Sequence, residues 1–265
     1  ESDTLDTFVD SSWYFLRFPD PRNDRAAFGE AAIKAWMPVD RYVGGVEHAV
    51  LHLLYARFIT KALADMSLFN FREPFLSLRN QGFILAEDGR KMSKSLGNVV
   101  NPDDVIGEYG ADTLRAYEMF MGPFTDTMPW STRSMIGMRR WLDRVWLLHE
   151  RVTSSEAPAD AQRAVELAAE KVTSDIENFK FNTAISALMI YLNKLIERDS
   201  ADPLDLRVFL TLLHPFAPHV TDELWSMSGG GASLMLEPWP AADSAVLAGR
   251  RIEIPVQVNG RVKAK

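Results

Sequence analysis

The sequence predicts an α/β region followed by an all-α region, on three observations. Over roughly the first 130 residues, short β-branched and aromatic runs alternate with longer helix-compatible stretches. From Ser131 onward apolar residues recur only at spacings of three and four, the helical period. The chain has 265 residues, 47% of them hydrophobic with 15 Phe and 7 Trp, enough core material for one large domain or two ordinary ones.

In the first region, Thr7-Phe8-Val9 predicts a short strand ahead of Asp10-Ser11-Ser12, and residues 24–36 a helix. Arg41-Tyr42-Val43 predicts a strand ending in Gly44-Gly45, followed by a long helix over about 46–66. Residues 76–86 contain the next strand, followed by a polar loop, Lys91-Met92-Ser93-Lys94-Ser95. Asn101 is an N-cap with Pro102 at the first helical position and acids in the first turn, and Gly110 separates that helix from another over 111–121.

In the second region, Met138, Trp141, Leu142, Val145, Trp146 and His149 form one apolar face, and Glu156-Ala157-Pro158-Ala159 breaks the helix. Residues 161–179, 181–198, 203–213 and 217–227 predict further helices, a bundle of four or five. Residues 228–231 are a Gly-rich loop, and Glu237-Pro238-Trp239-Pro240 is irregular. Residues 251–258 alternate like a strand and Asn259-Gly260 signals a hairpin turn. Only 261–265 remain for a second strand, so the chain is expected to stop inside an element. The expected domains are 1–130, 131–228 and 229–265, without internal repeats.

Composition excludes some functions. With no cysteine, disulfides and thiolate metal sites are ruled out. No apolar run approaches the roughly 20 residues of a membrane span. Both facts fit a cytoplasmic protein. The first residue is Glu1 and no signal peptide opens the chain, so it reads as an excised or incomplete piece. The net charge of −7 argues weakly against RNA. Two basic stretches run against it: Arg133, Arg139, Arg140, Arg144 and Arg151 within 131–153, and Arg250, Arg251, Arg261, Lys263 and Lys265 at the end. Such runs are as readily solvated faces.

The loop at Lys91–Ser95 carries the strongest chemical signal. Two lysines three apart can close over a polyphosphate and follow charge onto a leaving pyrophosphate, while Ser93 permits a tight turn. Alone, such a loop is more often a surface turn; here it follows a strand and precedes a capped helix, the geometry of a phosphate-approaching loop. At Tyr42-Val43-Gly44-Gly45-Val46-Glu47-His48, the glycines allow close backbone approach to a ligand, and Glu47 can accept from a ribose hydroxyl; a plain glycine turn explains the same residues. His48 and His52 share a helix face at i and i+4, a zinc-pair spacing, but Ala49 stands where a zinc protease needs glutamate, and no third ligand is evident. Pocket or core histidines fit better, and no metal site is expected. Phe8, Ser11, Ser12, Trp13 and Tyr14 suit either an apolar pocket with a polar rim or a core strand.

The loop, together with Leu96-Gly97-Asn98-Val99-Val100 and Tyr109-Gly110-Ala111-Asp112-Thr113-Leu114-Arg115, resembles the class I aminoacyl-tRNA synthetases. Residues 6–14, 44–58 and 256–262 are similar to the leucine-specific branch, and His214-Pro215-Phe216-Ala217-Pro218-His219 is similar to the wider subclass. The resemblance implies the second half of a Rossmann-like nucleotide-binding domain followed by an anticodon-binding-type helical bundle. It implies that Lys91 and Lys94, with Ser93 and Ser95, steady the triphosphate. Gly44, Gly45 and Glu47 would hold the adenosine ribose, with Gln81, Gly82 and the backbone of Met92 beside adenine. Phe8, Ser11, Tyr42, His48 and His52 would form a leucine pocket, and Arg139, Arg140 and Arg144 would touch tRNA. ATP with Mg²⁺, leucine and tRNA(Leu) are the implied ligands.

The class also uses a His-x-Gly-His motif, an acid for the substrate amino group and an editing domain, none of which this sequence contains. The chain alone is therefore expected to be inactive, with a missing N-terminal catalytic half as partner. The alternatives are a valine- or isoleucine-type fragment, a non-catalytic tRNA-binding or assembly subunit of a split enzyme, and a zinc hydrolase.

Overall fold

The computed structural model describes residues 7–151, 159–197, 202–243, 256–258 and 261–264. These divide into two compact units: one runs up to Phe83 and adds Thr125–Thr127, and the other holds Ile84–Phe124 and the described residues from Met128 onward.

The first unit contains helices α1 (Thr7–Ser11), α2 (Tyr14–Arg17), α3 (Glu30–Trp36) and α4 (His52–Asp65), with strands β1 (Tyr42–Gly45) and β2 (Leu78–Gln81). Its buried core is Phe15, Leu16, Ile33 and Ala56, with partly buried Phe28, Met37, Phe69 and Phe75 around it. The strand expected at Thr7–Val9 is instead α1. Packing overrides its β-branched composition: α1 lies on α4, Phe8 stacks on Tyr55 with ring centroids 5.5 Å apart, and Ser12 Oγ donates to the Val9 carbonyl. Helix α3 starts later than the sequence suggests. Asn23 Oδ1 accepts from the Arg25 and Ala26 amides, and the Arg17 guanidinium donates to the carbonyls of Pro21, Asn23, Ala26 and Ala27, which holds that stretch as a turn.

The long helix expected over 46–66 is interrupted. A 3-10 turn spans Val46–Ala49, Leu51 adopts φ −111° and ψ −108°, and α4 begins at His52. His48 and His52 therefore do not share a face of one helix. Strands β1 and β2 are parallel, with Gly44 opposite Asn80 and Gly45 opposite Gln81. Glu73, before β2, receives the Arg57 guanidinium at 2.7 and 2.8 Å and Lys61 at 3.3 Å, ties to α4 that hold its carboxyl down at about 2.

The second unit opens with β3 (Ile84–Leu85), parallel to β4 (Met128–Pro129). Helices α5 (Pro102–Tyr109), α6 (Ala111–Phe120), α7 (Thr132–Trp146), α8 (Ala159–Glu177), α9 (Phe181–Glu197), α10 (Pro203–Leu213) and α11 (Pro218–Met227) follow. The side chains of Asn101, Ser131 and Asp202 cap α5, α7 and α10 by accepting from backbone amides. One continuous core runs from Val105, Tyr117 and Trp130 through Met138 and Val145 of α7 to Leu188 of α9 and Phe209 of α10.

The face predicted on α7 is right to Val145 and wrong beyond it. The helix tightens to a 3-10 turn at Leu147–Arg151, which shifts the phase, so Leu148 is buried while Trp146 is exposed. The helix break at Glu156–Pro158 and the turn at Asn259-Gly260 lie outside the described residues. The second strand of the terminal hairpin does form: β6 (Arg261–Ala264) pairs antiparallel with β5 (Val256–Val258). Both halves of the fold-class expectation hold in coarse form, but the described strands make only two-stranded sheets.

Candidate functional site

In the first unit, the parallel register of β1 and β2 brings Gly44, Gly45 and Gln81 together, with Gly82 directly after. Gly82 has no room for a side chain, because a Cβ there would collide with the Asp126 carbonyl; at Gly45 a Cβ would meet the carboxylate of Glu47, a side chain that can move. Glu47 thus folds back over the glycine strip. Asn80, opposite Gly44, has a buried Oδ1 without a hydrogen-bond partner. Sequence reasoning missed it, because an isolated Asn in a strand carries no motif.

Tyr42, His48 and His52 form one aromatic cluster. The His52 ring lies 5.5 Å from Tyr42, 5.6 Å from Tyr14, 6.2 Å from Phe75 and 6.3 Å, edge-on, from His48. His52 is only 4% exposed, and neither ring nitrogen makes a well-formed hydrogen bond. Burial, reinforced by His48, pushes its pKa below the usual histidine value, against the opposing effect of the Ser11 backbone. Burial, with Tyr14 and Glu47, raises the Tyr42 phenol. Burial among aromatic rings thus favours the neutral form of His52.

Phe8 and Ser11 approach from α1, Phe8 through Tyr55 and Ser11 through its backbone. Tyr42 also lines an open cleft of about 690 Å³ with Tyr14, Phe18, Trp36, Arg41 and Phe75; His48 and His52 do not line it. Tyr14 and Phe75, which pack on the His52 ring, and Tyr55, which stacks on Phe8, lie beside the candidate residues. Phe75 went unnoticed because it lies far along the chain from any motif. Among the described residues, no group of three His, Cys, Asp or Glu is placed to hold a metal ion.

In the second unit, the lysine loop follows β3 and a tight reversal. Ala86 N–H donates to Arg90 C=O at 2.9 Å, Asp88 pairs with Arg90, and Leu85 bridges to Lys91. Lys94–Leu96 form a single 3-10 turn, and Gly97 at φ 62° reverses the chain. Ser93 Oγ and Ser95 Oγ are 2.7 Å apart. Lys91 and Lys94 are exposed, whereas the Met92 side chain packs on the core. Asn98 Oδ1 accepts from Ser93 N–H at 2.8 Å, and Asn98 Nδ2 donates to Lys91 C=O at 3.3 Å.

Two of the three candidate RNA-contact arginines are engaged within the protein. Arg139 donates to Asp143 at 2.9 Å and to Tyr109 C=O at 3.1 Å, and Arg144 donates to Asn193 at 2.7 Å. Arg140 is exposed.

Residues 1–131 match the family described as tRNA synthetases class I (I, L, M and V), and residues 163–265 the anticodon-binding domain of tRNA ligase. Leucine–tRNA ligase of Sorangium cellulosum (strain So ce56) is 48% identical over all 265 residues, which cover 31% of that protein. The crystal structure of the ternary complex of Agrobacterium radiobacter K84 LeuRS with tRNA and LeuAMS superposes with a TM-score of 0.86 at 40% identity, over 100% of this chain and 37% of that one. The structure of Mycobacterium tuberculosis methionyl-tRNA synthetase bound by methionyl-adenylate shares the fold, with a TM-score of 0.59 at 19% identity over 82% of this chain and 48% of that one. The chain thus spans about a third of the length of its leucine-type relatives.

Proposed function

The chain belongs to the class I aminoacyl-tRNA synthetases, and we propose that it is the lysine-loop half of the Rossmann-like catalytic domain, with the helical bundle, of a leucine–tRNA ligase. In the first step a leucine carboxylate oxygen attacks the α-phosphorus of ATP, and the bond to the pyrophosphate oxygen breaks. In the second a hydroxyl of the 3′-terminal ribose of tRNA(Leu) attacks the leucyl carbonyl and AMP leaves. No side chain needs to act as a nucleophile; positioning and charge stabilisation suffice.

Lys91 and Lys94 take up charge building on the pyrophosphate, with Ser93 and Ser95 shaping the turn. Gly44, Gly45 and Glu47 receive the ribose, and Gln81, Gly82 and the Met92 backbone flank adenine. Phe8, Ser11, Tyr42, His48 and His52 surround the leucine side chain, where a neutral His52 suits an apolar ligand. Mg²⁺ would come with ATP. Arg140 is the best placed of the three arginines for tRNA. The proposed divisions are 1–130, 131–228 and 229–265, in a cytoplasmic protein; no described helix is long and apolar enough to cross a membrane.

The observation supporting this reading best is the lysine loop itself: two exposed lysines on a turn whose backbone is held by a side chain of the same loop. In the full-length ligase, Lys94→Ala should slow leucine-dependent ATP–pyrophosphate exchange by about 100- to 1000-fold, with leucine KM little changed. An unchanged exchange rate would remove the loop from the chemistry.

A further inference from the structure

We propose that Asn98 is a positioning residue for the lysine loop, closing the turn from which Lys91 and Lys94 reach the phosphates. The proposal rests on the reading of that loop as a phosphate clamp.

The Asn98 carboxamide uses both of its ends on the loop backbone, at Ser93 N–H and Lys91 C=O. A backbone N–H can only donate and a carbonyl can only accept, so the two partners fix which end of the amide faces which. They lie two residues apart and bracket Met92, the side chain that anchors the loop to the core. The left-handed Gly97 returns the chain so that the next residue, Asn98, reaches back under the turn. A closed ring of chain results, in which the 3-10 turn carrying Lys94 lies between the amide's near partner, Ser93, and Asn98 itself.

This arrangement bears on rate more than on folding. The Lys91 carbonyl is at the surface and the Ser93 amide only part-buried, so water can take over much of what the carboxamide supplies once it is gone. The preset direction of the two ammonium groups is then lost, and a cation that must be ordered during the reaction stabilises the transition state less than one already in place. Gln, one methylene longer, keeps the chemistry of the amide but not its reach.

The test is pyrophosphate exchange by the full-length ligase carrying Asn98→Ala, Asn98→Gln, Lys94→Ala and the Asn98→Ala/Lys94→Ala pair. Asn98→Ala should lower kcat by about 100-fold while leucine KM stays within about twofold. The double variant should be slowed far less than the product of the single effects, because Asn98 acts through the lysine. Asn98→Gln should also be slow, and it decides the matter if the alanine variant does not fold. Near-wild-type kcat in a folded Asn98 variant, beside a slow Lys94→Ala, would overturn the role of Asn98 and leave the proposed function standing. Fully multiplicative effects would likewise overturn it. A fast Lys94→Ala would overturn the phosphate-clamp reading first.

Discussion

The two compact units hold polar groups in different ways. In the first, the buried core is four side chains, and the candidate leucine pocket meets the residues packed around that core at Phe75. Phe75 packs against that core and touches both Tyr42 and His52. In the second, the lysines stand on an exposed loop above a core that runs through seven helices' worth of apolar faces, from α5 to α11. Binding and stability are therefore entangled in the first unit and separable in the second. The lysines of the candidate loop can be altered there without touching the core, whereas Phe75 of the candidate pocket packs on the first unit's core.

The largest expected effect sharpens the second half of that comparison. Phe209 is fully buried in α10 and packs on Tyr191 of α9. Phe209→Ala should cost about 3–5 kcal/mol, seen as a shift of the urea midpoint. A loss below about 1 kcal/mol would mean that the bundle core is not continuous. Asp112 comes next. Its Oδ2 accepts from Val220 N–H at 2.7 Å, capping α11 from α6, and its Oδ1 meets His219 Nδ1 at 2.7 Å. Asp112→Ala should cost about 1–2 kcal/mol, and Asp112→Asn less, since one oxygen can still cap the helix. Equal losses for both would show that the charge rather than the cap matters.

Much of this was legible in the sequence where a local rule has no competitor. Asn101-Pro102 gave a helix start because cap and proline act within one turn. Gly44-Gly45 and Lys91–Ser95 stood out because their residue types are unusual for the element they join. What stayed hidden depends on partners far along the chain. Thr7–Val9 became helix because α4 offered Tyr55 as a packing partner. The helix at 46–66 broke at Leu51, and no residue type there announces it. Asn98 stands in the sequence as part of a motif, but its bonds to Ser93 and Lys91 require the reversal at Gly97.

The smallest expected effect tests the first unit, and its sign can be worked out. Burial holds the His52 pKa in the folded chain below its ordinary value of about 6.5, so near and below that pH the unfolded chain binds more protons than the folded one. The stabilisation that follows is complete above the unfolded value and is lost as pH falls through the folded one. The groups facing the ring are Tyr14, Tyr42 and His48, none of them an acid that would reward protonation. His52→Phe keeps an aromatic disc in the cluster and removes the titration. Between pH 7.5 and 5.5, on either side of the unfolded value of about 6.5, the wild type should lose more unfolding free energy than His52→Phe. A wild type that gains stability relative to the variant on acidification would mean that His52 is held as a cation. The candidate pocket would then hold a charge, and the contrast between an apolar pocket and a charged loop would fail.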